Sequence, residues 1–143
     1  MKYIKSCGFV AYKHINNENF YLIIKSINGD VGFPKGHMEK DETELQTAIR
    51  ELKEETGVTV DYVPNFREQI EYKLPKTNNV MKQSIYFLGN CTSDNIVCQE
   101  TEVSEAKFVS YENALEILTF DETKSILKNA ELFIRNIHRS ISP

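Results

Sequence analysis

The chain has 143 residues, 41% of them hydrophobic and 27% charged, with a formal net charge of −4. That length fits one domain spanning residues 1–143 with a substantial buried core. No apolar run approaches the roughly 18 residues a membrane-spanning helix needs. The acidic balance argues against a stable nucleic-acid partner, which calls for a basic surface.

Residues 3–13 and 20–27 read as two strands joined by the polar run Ile15-Asn16-Asn17-Glu18-Asn19, a hairpin signal. The apolar stretch Cys7-Gly8-Phe9-Val10-Ala11-Tyr12 has the makings of a short leader, but Lys13-His14 ends it too early, and a buried first strand accounts for it better. Residues 28–42, rich in glycine and charge, read as a long functional loop.

A helix follows over residues 43–56. Asp41 and Glu44 make an Asp-x-x-Glu capping box, with Asp41 as the N-cap. Leu45, Ala48, Ile49, Leu52 and Thr56 recur at helical spacing as the buried stripe, and Gly57 ends the helix. Turning about 100° per residue from Leu45, the carboxylates of Glu51, Glu54 and Glu55 fall at roughly 240°, 180° and 280°, a face distinct from that stripe. Taken alone, such glutamates describe a solvated acidic surface.

Further β-rich stretches cover 58–60, 66–74, 80–91 and 105–109, with a turn at Asn78-Asn79. Ser110 caps a short helix through Leu118, and a longer helix from about 121 to 137 buries Ile126, Leu127, Ala130, Phe133, Ile134 and Ile137. Strands flanked by helices imply an α/β (α+β) fold, a mixed sheet between helical layers. Cys7, Cys91 and Cys98 form no Cys-x-x-Cys pair, so reduced thiols and a cytoplasmic location are expected.

Residues 36–58 read Gly36, five residues, Glu42, seven residues, then Arg50-Glu51-Leu52-Lys53-Glu54-Glu55-Thr56-Gly57-Val58. Without a mismatch, this resembles the Nudix box, Gly-x5-Glu-x7-Arg-Glu-U-x-Glu-Glu-x-Gly-U with U aliphatic. Seven fixed letters match by chance on the order of 10⁻⁹ per starting position. The resemblance implies a Nudix fold and a hydrolase that cuts phosphoanhydride bonds using Mg²⁺, with Mn²⁺ as a substitute. By that resemblance Glu51, Glu54 and Glu55 ligate the metal and one carboxylate near the site acts as base. It further implies that Arg50 holds a catalytic glutamate by an ion pair, Glu42 is structural, and Gly36 offers its carbonyl to a metal.

The segment Gly32-Phe33-Pro34-Lys35-Gly36-His37 is similar to the Pro-Lys-Gly-His loop of the asymmetrically cleaving diadenosine tetraphosphate hydrolases. Lys35 and His37 set two cationic-capable donors beside the box, suited to a long phosphate chain. Tyr72, then Lys82 before Ile85-Tyr86-Phe87-Leu88, continues the likeness: Lys82 is implied to contact phosphate and Tyr72 to stack on a base. Glu102, with Glu100 and Glu105 as neighbours in register, matches an additional acid, a metal ligand or the base. Phe120 stands where the family has an aromatic clamp. Val31 occupies a place that is tryptophan in many relatives, and the chain contains no tryptophan.

The substrate implied is a small nucleotide, diadenosine tetraphosphate cut to AMP and ATP. The same site also suits a nucleoside triphosphate, ADP-ribose, a capped RNA 5′ end or a diphosphoinositol phosphate. A non-catalytic nucleotide sensor is disfavoured by the intact set Glu51, Glu54 and Glu55.

Overall fold

The structure is a computed structural model and describes residues 2–74, 79–99 and 101–141. The chain runs β1 (Lys2–Ile15), β2 (Glu18–Ser26), β3 (Val31–Gly32), β4 (Lys35–His37), α1 (Glu44–Thr56), β5 (Val60–Lys73), β6 (Val80–Cys91), β7 (Val103–Ser110), α2 (Tyr111–Ile117) and α3 (Asp121–Ile141). β1 and β2 form the expected hairpin, turning through Asn16 and Asn17 at φ 52° and 64°, left-handed values that asparagine tolerates.

β1 organises the sheet. One edge runs parallel to β6 from Lys2 to Tyr12. The other pairs antiparallel first with β4, at Ser6–Gly8, and then with β2, at Tyr12–Ile15. β2 in turn pairs with β3 and β7, and β5 with β6, giving a mixed seven-stranded sheet.

The central strands are apolar on both faces because both are covered. Cys7, Phe9, Ala11, Leu22, Ile85 and Phe87 pack against Ala48 and Leu52 of α1. The alternate residues Val10, Tyr12, Tyr21, Ile23, Tyr86 and Leu88 pack under Ala114 of α2 and Ile126, Leu127, Ala130 and Ile134 of α3. The layers are therefore helix, sheet, helix.

Several local expectations change. Residues 28–42 are not one loop: β3 and β4 form within them because the backbone of 35–37 finds an open edge of β1. The N-cap of α1 is Thr43, not Asp41. Thr43 Oγ1 accepts from Gln46 N–H at 3.1 Å and Gln46 Oε1 accepts from Thr43 N–H at 2.9 Å, a capping box two residues later than the one read from sequence. Asp41 instead turns the chain at φ 70°. β5 continues through a bulge between Val63 and Arg67, with Asn65 at φ 74°. Asn79 adopts φ 65°, whereas Asn78 lies outside the described residues. Gly57 ends α1 as expected, at φ 74°, its N–H donating to Lys53 O at 2.8 Å. Ser110 caps α2 as expected, and α3 continues beyond 137 to Ile141.

Candidate active site

α1 buries most of the expected stripe, Ala48, Leu52 and Thr56 with Leu45 partly covered, but is rotated enough to leave Ile49 out and to take carboxylates in. Its buried residues are Thr47, Ala48, Glu51, Leu52, Glu55 and Thr56, while Ile49 is 49% exposed. Glu51 and Glu55 retain only 9% and 5% of their exposure, so the three carboxylates do not share a solvated face; of the three, Glu54 alone is exposed. β4 causes the rotation. It lies against the carboxylate side of α1, where Lys35 N–H donates to Glu55 Oε1 at 3.0 Å. At Gly36 the approach is closer still: a Cβ there would overlap the Glu51 carboxylate, so any other residue displaces that carboxylate from where Arg50 holds it. Gly8 is similarly required, because a Cβ would collide with Pro34 O and come within 2.6 Å of Lys35 Cβ.

Arg50 ties the box together. Its Nε and Nη2 donate to the two oxygens of Glu42 at 2.7 and 3.0 Å, a bidentate pair. Nη1 donates to Glu51 Oε1 at 2.8 Å and Glu54 Oε2 at 3.1 Å, and Nη2 also reaches the His37 carbonyl at 3.0 Å. Glu42 further accepts from Glu39 N–H and from the Thr47 hydroxyl, both at 2.9 Å. The Arg50 guanidinium, then the Glu39 N–H, hold the Glu42 carboxyl down to about 2.

Beside this network opens a cavity of about 550 Å³, within the range typical of small-molecule sites. Its walls bring together Lys35, Glu55, Tyr72, Lys82, Glu102 and Phe120, residues from six separate parts of the chain. Lys82 stands opposite Tyr72 in the β5–β6 register. Glu51, Glu54, Arg50 and Gly36 do not line the cavity; they lie behind it, on and against α1. The exposed His37 does not line it either, and what it contributes to the network is its carbonyl. Glu100 lies outside the described residues. Asp30 and Glu122 also line the cavity and were not singled out by sequence. They carry no motif, and only the meeting of the β2–β3 turn with the start of α3 makes them neighbours of the site.

The charges are strained in a consistent direction. Burial, then the Lys82 charge, pushes the Lys35 ammonium down to about 8. Burial, then the neighbouring Glu51, pushes the Glu55 carboxyl up to about 8, with Glu102 adding to the rise. Burial raises Glu51 as well, against the pull of Arg50. Buried carboxylates that repel one another are what a divalent cation relieves. Among the described residues no group of three or more His, Cys, Asp or Glu side chains is placed to hold a metal ion by itself. The buried carboxylates Glu51 and Glu55, beside a cavity with room for water and phosphate, fit a hard ion such as Mg²⁺, which takes one or two carboxylates and keeps its remaining places for water and phosphate.

Residues 9–129 match the NUDIX domain, and the chain belongs to that family. It is similar to the asymmetrical bis(5′-nucleosyl)-tetraphosphatase of Mus musculus, 26% identical over 146 residues that cover 92% of this chain and 95% of the mouse protein. Its fold resembles that of a C. elegans Ap4A hydrolase in a binary complex, with a TM-score of 0.84 and 25% identity over 93% of this chain and 98% of the other. It is also 31% identical over 121 residues to an mRNA-decapping protein, g5R, of African swine fever virus, covering 74% of this chain and 48% of the viral one. The expected family and the expected mixed sheet between helices are both met. Hydrolases of this family generally use divalent metal ions, and no helix among the described residues is long and apolar enough to cross a membrane.

Proposed function

We propose that this Nudix hydrolase cleaves dinucleoside polyphosphates asymmetrically, diadenosine tetraphosphate to AMP and ATP, with Mg²⁺ as its metal. One observation carries the reading: a single cavity is lined by two lysines, Lys35 and Lys82, by Glu55 and Glu102 among its acids, and by the half-exposed rings of Tyr72 and Phe120, 43% and 50% exposed. Half-exposed rings over a cavity suit base stacking, and a substrate with two nucleoside ends uses two of them. The lysines suit a phosphate chain that an acidic protein must otherwise repel. The similarity to the mouse and worm proteins points the same way.

In this reading Glu51, Glu54, Glu55 and Glu102, with the Gly36 carbonyl, would share two or more Mg²⁺ ions, and Arg50 keeps Glu51 in place through its Nη1 bond. When bound, Mg²⁺ neutralises the phosphate oxygens, polarises the attacked phosphorus and favours ionisation of water. Lys35 and Lys82 bind and orient the chain. One of the four carboxylates accepts the proton from water as its oxygen bonds to the adenosine-linked phosphorus and the bridging P–O bond breaks. His37 contributes its carbonyl to Arg50, and its exposed ring lies off the cavity wall.

The viral decapping relative favours a second substrate, the capped 5′ end of RNA, which is also a dinucleoside polyphosphate. The net charge of −4 offers an RNA body little attraction. A panel of diadenosine tetraphosphate, ATP, ADP-ribose, capped RNA and a diphosphoinositol phosphate, run with Mg²⁺ in ¹⁸O-water, decides between them. The expected result is fastest turnover of diadenosine tetraphosphate, with label in AMP. ADP as sole product, or faster turnover of another member, overturns the assignment.

A further inference from the structure

Phe120 is half exposed on the short linker between α2 and α3, yet its backbone is fastened on both sides. Before it, Val31 N–H donates to Thr119 Oγ1 at 2.7 Å and Thr119 N–H donates to Val31 O at 3.1 Å. After it, Thr123 Oγ1 and Lys124 N–H both donate to Phe120 O, at 2.8 and 3.2 Å. Val31 belongs to β3, whose other edge is taken by Lys25 and Ile24 of β2, so Thr119 extends the sheet by one residue.

The turn leading into β3 is itself closed. Ser26 N–H donates to Asp30 O at 2.8 Å, Gly29 N–H to Ser26 O at 2.9 Å, and Asp30 N–H to Asn28 Oδ1 at 3.1 Å; the Ser26 hydroxyl bonds Asn28 Oδ1 as well. Ile27 N–H donates to the Glu102 carbonyl at 3.2 Å. One turn therefore holds the backbone at Glu102 and, through β3, the backbone beside Phe120. Both side chains line the cavity.

We propose that Thr119 is a positioning residue: its hydroxyl, anchored on the β2–β3 turn through Val31, sets Phe120 across the cavity from Tyr72 before substrate arrives. Ordering a wall in advance removes part of the entropy cost of binding and leaves the chemical step untouched. The inference rests on reading Phe120 as a base contact, so its test includes that residue.

Thr119→Val keeps the backbone bond but leaves Val31 N–H without its acceptor, whereas Thr119→Ser keeps both. With diadenosine tetraphosphate, Thr119→Val is expected to raise KM about fivefold, the worth of one hydrogen bond, with kcat within about twofold and Thr119→Ser near wild type. Phe120→Ala is expected to raise KM at least as much. Because the chain has no tryptophan, Phe120→Trp supplies a single indole, excited selectively over the seven tyrosines. In that background and without ligand, Thr119→Val lowers the anisotropy of the ring and Thr119→Ser restores it. Should Thr119→Val fail to fold, Asn28→Ala loosens the same turn from its other end and is expected to lower the anisotropy too. Phe120→Ala raising KM while Thr119→Val leaves KM and anisotropy unchanged would overturn the positioning role and spare the base contact. A wild-type KM in Phe120→Ala would overturn both.

Discussion

Arg50→Lys keeps the charge and removes the fork. The guanidinium makes five bonds of 2.7–3.1 Å: two to Glu42, one each to Glu51 and Glu54, and one to the His37 carbonyl. A lysine ammonium at that position can stay with Glu42 or turn to Glu51, and cannot bridge both while holding His37 O. The Arg50, Glu42 and Glu51 side chains keep 22%, 17% and 11% of their exposure, so the lost bonds are screened only in part. Charged hydrogen bonds are worth about 1.5–3 kcal/mol each, and discounting for exposure leaves a loss of about 2 kcal/mol. For a chain this long that lowers Tm by about 6–7 °C. Freed from Arg50, Glu51 also loses its orientation toward the metal, and supporting contacts of this kind are worth about 10–100-fold in metal affinity or activity. Thermal melting and kcat/KM over a Mg²⁺ titration measure both effects. A lysine variant with wild-type Tm and wild-type Mg²⁺ midpoint would refute the reasoning.

Gly36→Ala forces a Cβ into the Glu51 carboxylate and is expected to cost about 1–3 kcal/mol and to raise the Mg²⁺ midpoint at least tenfold, checked by the same melt and titration. Glu44 accepts from Arg67 Nε and Nη2, both at 2.9 Å, and from Lys5 Nζ at 3.0 Å; Arg67 first, and then Lys5, holds its carboxyl at about 2 instead of 4.5. The folded pKa lies below the unfolded one, so this stabilisation is present above about 4.5 and drains away as pH falls toward about 2. Urea melts should show Glu44→Gln less stable than wild type at about pH 7, with the gap narrowing by about pH 3; a constant gap counts against the pairing. Glu131, 6% exposed, accepts from Tyr21 Oη at 2.6 Å, Asn19 Nδ2 at 3.0 Å and Arg135 Nε at 2.7 Å, away from the cavity. Glu131→Ala strands the buried Tyr21 hydroxyl and is expected to cost about 2–4 kcal/mol in urea melts while kcat stays at the wild-type value.

The box was legible because its chemistry is local: a helix sets the spacing of Glu51, Glu54 and Glu55, and Arg50 sits one residue from the carboxylate it holds. The hairpin, the glycine stop of α1 and the serine cap of α2 were legible for the same reason. What α1 buries was not, because periodicity reports apolar residues and cannot see β4 arriving to cover two acids. Asp41-x-x-Glu44 and Thr43-x-x-Gln46 are both acceptable capping boxes, and the left-handed turn at Asp41 that favours the second depends on how the preceding chain meets Arg50. Asp30 and Glu122 meet at the cavity, and Thr119 is tied to its wall through Val31, across separations of some 90 residues for which no local pattern exists.

Glu51, Glu54 and Glu55 are proposed to gather divalent cations under a polyphosphate. Crystals soaked with Mn²⁺ and a non-hydrolysable dinucleoside tetraphosphate analogue test this by anomalous diffraction. Manganese peaks are expected within about 2.5 Å of those carboxylates, with the phosphate chain against Lys35 and Lys82. Manganese and phosphate bound elsewhere, with the three carboxylates bare, would contradict the proposal.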